Sequence, residues 1–382
     1  MDPLISSFDR SNNLIQIVLM KKVLYSTPFV LFALRTAAQF LPGNLALVRL
    51  GDGTQTLGNT GNTVFIDQYT PLGGLVNSLQ IPDSGPSALI MSGNATSEGA
   101  LSLSGDGHYL AIAGYNTTRP FGSSLASSTS ATVPRGIGSI GANGSYTLAA
   151  TTTSQYSANN IRGGATDGAN NFWGSGANSG TYYFGNNAAP GTVQSTVANT
   201  RVIADIGGNL FFSTSSGTSR GVWEIPGTPT GAGTASVLLN TGSSGSAYDF
   251  AFNPSMTIAY VADDTSSAAG GIERWDFNGS TWSLTYTLGT GTANVGARGL
   301  AVDFSGPTPI IYATTAEATA NRLIAITDTG ASSAATTLAT ASANEIFRGL
   351  EFTPTIVPEP SSAALFGFGL LVVIEAWRRR NQ

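Results

Sequence analysis

One acidic and several basic side chains recur at the same point of a repeated segment. Each stands where an apolar, strand-like run begins, and they are Glu98, Arg162, Arg298 and Arg348, with Arg201 close to the same register. A guanidinium carries donors in a rigid fork that matches a carboxylate. If these runs surround one axis, a mixed ring of arginine and glutamate would suit an anionic sugar or another carboxylate-bearing ligand. The simpler alternative is that each arginine pairs with an aspartate or a backbone carbonyl of the neighbouring repeat.

Other residue types that could do chemistry are few. His108 is the only histidine, so it has no second imidazole for a zinc site and is interpreted as structural. Asp263 and Asp264 could bind a hard cation through their oxygens, but an acidic pair beside threonine and serine more often forms a solvated turn. Two Gly-Asp-Gly runs, at 51–53 and 105–107, fit hairpin turns.

Six aromatic side chains could stack on sugar rings, but aromatics at strand spacing more often pack between sheets; they are Trp173, Tyr182, Tyr183, Trp223, Trp275 and Trp282. The sequence contains no nucleophile elbow, phosphate-binding loop or dinucleotide-binding glycine pattern in the strand–helix context that each requires. We therefore predict no catalytic residue, no metal and no cofactor.

The elements that would position the arginines form an internal repeat. The repeat consists of an apolar strand, a turn rich in Gly, Asp, Asn and Pro, and a second apolar strand with an aromatic residue. Its aligned copies begin at residues 98, 162, 201, 248, 298 and 348, which gives intervals of 64, 39, 47, 50 and 50 residues. Two later strands follow in each interval, as at 322–327 and 335–340. Four strands in about 40 to 50 residues predict the blade of a β-propeller.

The sixth copy contains only its first strand, and three unassigned strands stand at the other end of the body. They cover residues 44–50, 64–69 and 74–81. Joining strands from both ends into one blade would close the ring and remove its open edges. The sequence thus predicts an all-β propeller of about six four-stranded blades, and the 64-residue interval leaves room for a seventh.

The C-terminal segment, residues 357–382, reads as a sorting and anchoring signal. It begins with Val357, Pro358, Glu359 and Pro360, and an apolar run at 363–374 follows. Counted to residue 377, a helix here would be about 22 Å long, short for a bilayer core of about 30 Å. The terminal cluster of Arg378, Arg379 and Arg380 would reach the head groups and keep the C-terminus inside. The alternative is an amphipathic core helix with a basic end.

This order of a Pro-Glu-Pro segment, an apolar helix and an arginine run resembles the PEP-CTERM sorting signal of Gram-negative bacteria. The resemblance covers only the last 25 or so residues, and Glu375 departs from the usual all-apolar helix. It implies recognition at the inner membrane by an exosortase, a membrane-embedded processing enzyme. It further implies cleavage near the Pro-Glu-Pro and transfer to the cell surface, often alongside exopolysaccharide.

The N-terminal end carries the pattern of a secretory signal peptide. Lys21 and Lys22 precede an apolar run at 23–34, and small residues follow at 36–38. We predict a signal peptide at 20–38 and interpret residues 1–19 as an upstream start-site extension. The remaining divisions are the propeller body at 39–356 and the sorting and anchor segment at 357–382.

Composition narrows the function classes. Only 10% of the residues are charged, against about 25% in ordinary soluble domains, and cysteine is absent. The body at 39–357 has ten arginines, no lysine and eighteen acidic residues. This acidic balance argues against nucleic-acid binding. We therefore expect a non-enzymatic, surface-directed structural or binding module of the envelope or exopolysaccharide matrix; a polysaccharide lyase or hydrolase is the alternative.

Overall fold

In a computed structural model the body is a ring of six four-stranded antiparallel sheets. The structure describes residues 40–186 and 189–356. The predicted start-site extension, signal peptide and C-terminal sorting segment lie outside these residues. No helix long and apolar enough to cross a membrane occurs within the described ranges.

Five blades are continuous in sequence, and each runs from its inner to its outer strand. Blade 1 contains β4 (Leu101–Leu103), β5 (Tyr109–Tyr115), β6 (Arg135–Gly141) and β7 (Tyr146–Thr152). Blade 2 contains β8 (Ile161–Thr166), β9 (Phe172–Gly176), β10 (Thr181–Gly185) and β11 (Gly191–Gln194). Blade 3 contains β12 (Thr200–Ile206), β13 (Asn209–Thr214), β14 (Gly221–Ile225) and β15 (Ser236–Asn240).

Blades 4 and 5 are the most regular copies of the repeat. Blade 4 contains β16 (Ala247–Phe252), β17 (Ile258–Asp263), β18 (Gly271–Phe277) and β19 (Trp282–Leu288). Blade 5 contains β20 (Ala297–Asp303), β21 (Ile310–Thr315), β22 (Arg322–Thr327) and β23 (Thr336–Thr340). The two outer strands predicted for the fifth copy are therefore confirmed.

The closing blade combines strands from both ends of the body. Its order is β24 (Ile346–Phe352), β1 (Leu45–Leu50), β2 (Val64–Tyr69) and β3 (Leu75–Gln80), with β24 innermost. The β24–β1 pairing is antiparallel and joins Leu45 to Phe352 and Leu50 to Ile346. The predicted composite blade and the six-blade count are both confirmed. Each inner strand contacts the inner strands of the two adjacent blades, so the ring is complete.

The long first interval holds one blade with an extended connection, and this explains its 64 residues. Residues 116–134 join β5 to β6 without a strand of their own. The buried guanidinium of Arg135 fixes this connection by donating to the carbonyls of Val133, Ser128 and Asn159 at 2.7 to 3.1 Å. The interval therefore contains no seventh blade.

Packing between blades forms the core. Six buried apolar clusters occur among the described residues, and each lies between two adjacent blades. Inner strands such as β20 are almost entirely buried, whereas the residues of outer strands such as β3 are exposed or half-buried. Since hydrophobic stabilisation scales with buried apolar area, the blade interfaces carry most of it. They also hold the inner strands of neighbouring blades in contact around the ring.

Candidate functional site

One residue from each blade lies at the start of its inner strand or, for Glu98, three residues before it, and we call this set the mouth ring. Its members, in ring order, are Glu98, Arg162, Arg201, Tyr248, Arg298 and Arg348. The register is fixed by contacts between inner strands. The amide of Gly349 donates to the carbonyl of Gly99, and that of Ala100 donates to the carbonyl of Arg162. The four predicted residues thus belong to one ring, joined by Arg201 and Tyr248.

The exact placement of the predicted residues differs from the expectation in one respect. Arg162 and Arg298 are the second residues of β8 and β20, and Arg348 is the third residue of β24. They were expected just before the inner strands, a position that only Glu98 occupies, three residues before β4. The inner strands begin earlier than predicted because inter-strand hydrogen bonds extend past the apolar run.

Glycine after arginine allows the inner strands to approach closely at this level. A Cβ added to Gly163 would lie 2.8 Å from the carbonyl oxygen of Arg201. One added to Gly299 would lie 2.6 Å from the carbonyl oxygen of Arg348, and one added to Gly349 would lie 2.4 Å from the amide nitrogen of Leu101. The recurring Arg-Gly pair therefore places a long cation where the neighbouring backbone leaves no room for a following side chain.

Three residues of the mouth ring accept a hydrogen bond at their backbone carbonyl from a hydroxyl group on the second strand of the preceding blade. Ser175 of β9 donates to the carbonyl of Arg201, and Ser213 of β13 donates to that of Tyr248. Thr314 of β21 donates to the carbonyl of Arg348 at 2.6 Å. Each bond crosses from one blade to the next, so the ring residues are positioned by the blade interfaces.

The ring arginines contact neighbouring blades, as the simpler sequence interpretation proposed. Arg162 donates to the side-chain oxygen of Asn199 at 2.6 Å and to the carbonyl of Thr200 at 3.3 Å. Arg348 donates to the carbonyl of Gly93 at 3.1 Å. These contacts involve neutral acceptors, so neither arginine forms an ion pair through them.

Asp264 supplies the ion pairs of the ring. Its carboxylate lies 3.0 Å from Nη1 of Arg201 and 3.2 Å from Nε of Arg298. Burial disfavours its ionised form, yet the two guanidinium charges outweigh this and lower the pKa of Asp264. The interpretation of Asp263 and Asp264 as a solvated turn is therefore wrong: Asp263 is buried and accepts from the amides of Ser246 and Thr265. Sequence could not show that the loop after β17 turns toward two arginines of other blades.

Glu98 is the other carboxylate of the mouth ring, and its hydrogen bonds are local. It is 1% exposed and accepts from the hydroxyl of Tyr115 at 2.7 Å, the amide group of Asn160 at 2.5 Å and the backbone of Ser92 at 2.9 Å. Burial raises the pKa of Glu98, and these bonds and the charge of Arg348 oppose that rise only partly. Glu98 forms no ion pair with a ring arginine among the described residues, and its three hydrogen bonds are to Tyr115, Asn160 and Ser92.

The mouth ring consequently holds more positive than negative charge in a buried place. Burial, followed by repulsion from Arg298, lowers the pKa of Arg348 to about 10. Burial and then the charge of Arg201 lower the pKa of Arg162. One buried guanidinium nitrogen of each arginine has no hydrogen-bond partner among the described residues, namely Nε of Arg162, Arg201 and Arg348 and Nη1 of Arg298. A buried polar group normally finds a partner, so these four nitrogens are exceptions to that rule.

Tyr248 is the ring member that the search for charged residues missed. Its ring lies 5.2 Å from the guanidinium carbon of Arg201, and its hydroxyl reaches the carbonyl of Thr96 at 3.4 Å. Burial raises its pKa, and the charges of Arg298, Arg201 and Arg348 oppose that change. The signal was present, because the fourth copy of the repeat begins at residue 248.

The remaining candidates serve structural roles. The imidazole of His108 lies 3.0 Å from the carbonyl oxygen of Thr355 and so ties the β4–β5 turn to the end of the body. The six candidate aromatics lie within or against the clusters between blades, in agreement with their interpretation as packing residues. In the described ranges no group of three or more histidine, cysteine or acidic side chains could hold a metal ion.

Carboxyl groups lie further along the inner strands. Burial raises the pKa of Glu351 in β24 to about 7 and that of Asp205 in β12 to about 6. Burial and the nearby Glu351 also raise the pKa of Asp249. Three buried or half-buried carboxyl groups therefore lie further along inner strands than the arginines of the mouth ring do.

These raised pKa values predict that stability falls as the pH rises. A carboxyl group whose folded pKa lies above its unfolded value contributes stability below the unfolded pKa, and that contribution is lost as the pH rises through the folded pKa. The wild type should lose stability between about pH 5 and 8. Glu351→Gln, which stays neutral, should lose about 2 kcal/mol less over this range in urea unfolding. Parallel profiles for the two proteins would contradict the assignment.

The comparisons with known proteins bear on the tail and on the fold. Residues 357–380 match the PEP-CTERM protein-sorting motif. The chain carries a PEP-CTERM sorting signal. This signal implies an exported precursor that passes the membrane and is processed by an exosortase, a membrane enzyme. A search of the curated proteins found no match.

Several solved structures are similar to the PEP-CTERM protein at low identity. A putative 6-phosphogluconolactonase from Bacteroides fragilis is 14% identical with a TM-score of 0.45, covering 78% of this chain and 83% of its own. TolB from Acinetobacter baumannii is 12% identical with a TM-score of 0.49, covering 82% and 67%. The periplasmic gluconolactonase of Pseudomonas aeruginosa is 13% identical with a TM-score of 0.42, covering 78% and 83%. Likenesses at this level carry no argument about activity.

Proposed function

We propose that this PEP-CTERM protein is a surface-directed binding module whose propeller holds an anionic ligand at the mouth ring. The protein reaches the surface after passage through the inner membrane and acts in the envelope or its exopolysaccharide matrix. The observation that carries the proposal is a set of four arginines, each with one buried nitrogen that has no partner among the described residues, around a single ion-paired carboxylate, Asp264.

The charge distribution of the whole body supports this proposal. The body is acidic, with ten arginines, no lysine and eighteen acidic residues, yet four of those ten arginines belong to the mouth ring. An isolated buried charge costs several kcal/mol unless a partner compensates it. A bound carboxylate would accept from the free guanidinium nitrogens and restore the charge balance. The ligand thus supplies the negative charge and the hydrogen-bond acceptors that the mouth ring lacks.

Binding of small carboxylates and acidic saccharides to residues 39–356 tests the proposal. We expect calorimetry to show binding by the wild type that weakens as salt rises. The triple variant Arg162→Ala/Arg298→Ala/Arg348→Ala should lose at least about 100-fold in affinity while remaining folded by circular dichroism, because charged hydrogen bonds are worth about 1.5 to 3 kcal/mol each.

Arg119→Ala is the matched control. Arg119 lies in the 116–134 connection, forms an ion pair with Asp83 and is not part of the ring. The control should bind as the wild type does. No binding of any anion by folded wild type, or equal loss in the control, would refute the proposal. Cleavage of the saccharide is followed in the same samples, and product formation would favour a lyase or hydrolase instead.

A further inference from the structure

A cavity of about 750 Å³ opens beside the mouth ring, between blade 5, the closing blade and the segment that precedes β4. Arg348 belongs both to the ring and to the cavity lining. Pockets for small organic ligands commonly have about 300 to 1,000 Å³, so the cavity holds more than a simple anion. A ligand anchored on the ring has room for a larger body here.

The lining of this cavity is polarised. Its inner end carries the guanidinium of Arg348, which is 3% exposed and has an unpartnered Nε. Its outer part carries Glu345, whose carboxylate lies 2.9 Å from Arg49 and accepts from the backbone of Ser342 at 3.3 Å. An acidic group is therefore attracted to the inner end and repelled from the outer end.

Between these ends the cavity presents hydroxyl and amide side chains beside Leu57 and three alanines, and no aromatic residue of the described ranges lines it. The polar groups belong to Thr56, Asn94, Thr96, Thr319, Ser342 and Asn344. Such groups can donate and accept hydrogen bonds with ligand hydroxyls. A hydrocarbon body would leave those partners unsatisfied, at a cost in affinity.

We infer that the cavity seats the sugar chain of an acidic saccharide, with one terminal uronic acid carboxylate on Arg348 and the following neutral, hydroxyl-rich units directed outward past Glu345. This inference rests on the proposed anion binding and adds the ligand class and its direction. In this arrangement the mouth ring binds the carboxylate of the ligand, and the cavity holds the rest of the saccharide.

A substitution that fills the cavity without touching the arginines tests this inference. Ala343 is exposed and lines the cavity, so Ala343→Trp places an indole in the space while the blades stay unchanged. Ala334→Trp is the matched control, because Ala334 is exposed in the β22–β23 connection and does not line the cavity. The probes are glucuronate, an oligosaccharide ending in glucuronate, and hexanoate.

Wild type should bind the oligosaccharide at least about tenfold more tightly than glucuronate or hexanoate. Ala343→Trp should remove that gain and change glucuronate affinity by less than about twofold, and Ala334→Trp should change neither. The inference fails if the oligosaccharide gains nothing over glucuronate, if hexanoate binds as tightly as the oligosaccharide, or if Ala343→Trp leaves the gain intact. Absence of glucuronate binding in the wild type would instead refute the anion site itself, and the inference with it.

Discussion

Replacing Arg348 by methionine is expected to stabilise the ligand-free protein while removing its anion binding. The guanidinium of Arg348 is buried, and among the described residues it has no ion-pair partner and donates one hydrogen bond, to the carbonyl of Gly93. Methionine has an unbranched side chain of similar length and removes a buried charge whose pKa the surroundings lower to about 10. Replacing buried ionic groups by apolar residues of similar volume has stabilised proteins by about 1 to 4 kcal/mol. We expect a gain of about 1 to 2 kcal/mol in urea unfolding.

This result separates a binding arginine from a structural one. A residue retained for folding should destabilise the protein when replaced, whereas a residue retained for a ligand should not. Arg135→Met is the comparison, because Arg135 is also buried but donates to three backbone carbonyls, those of Val133, Ser128 and Asn159. That variant should lose about 3 kcal/mol or more, since its loss leaves buried carbonyls without partners. Destabilisation of equal size in both variants would make Arg348 structural.

The second large effect is expected from Gly349→Ala. The new Cβ would lie 2.4 Å from the amide nitrogen of Leu101 and 2.5 Å from the carbonyl oxygen of Gly99, distances that backbone atoms cannot relieve without moving a blade. The contact lies at the junction of β24 with the start of blade 1, where the ring closes. We expect a loss of about 3 kcal/mol in urea unfolding, at the upper end for added methyl groups in packed sites.

A control for this substitution is Gly289→Ala, because a Cβ there would meet open space and its backbone does not require glycine. That variant should change stability by less than about 0.5 kcal/mol. A thermal shift in Gly349→Ala no larger than that of the control would show that the inner strands can separate at this level.

Much of the fold could be predicted because each copy of the repeat contains its own strand and turn signals within a short stretch of sequence. Strand patterns and turn residues recur in every blade, so residues 322–327 could be assigned to a strand without knowledge of their partners. The composite blade followed from counting strands at the two ends. The length of an interval predicted the number of blades less well. The 116–134 connection lengthens the first interval without adding a blade, and the contacts of Arg135 that hold it follow from no local sequence pattern.

The candidate site could be predicted only where the residue type repeats. Arg162, Arg298 and Arg348 each precede glycine, so their common position was visible in the sequence. Tyr248 occupies the same position with different chemistry, and a search for charge passed over it. Asp264 lies outside the repeat register, and its role depends on a turn that brings it to arginines of blades 3 and 5. Pairing across blades is a property of the assembled ring.

The order of the last segments links the integrity of the chain to its destination. The strand that completes the ring ends at Phe352, and the matched sorting motif begins at residue 357. A chain truncated before β24 would expose the hydrogen-bonding edge of β1, the kind of edge through which sheets aggregate. Such a chain would lack the motif as well. A chain whose synthesis has reached the sorting motif therefore also contains β24, the strand needed to close its six blades. Recognition of the motif thus selects for sorting to the surface only chains that were synthesised to the end of the propeller.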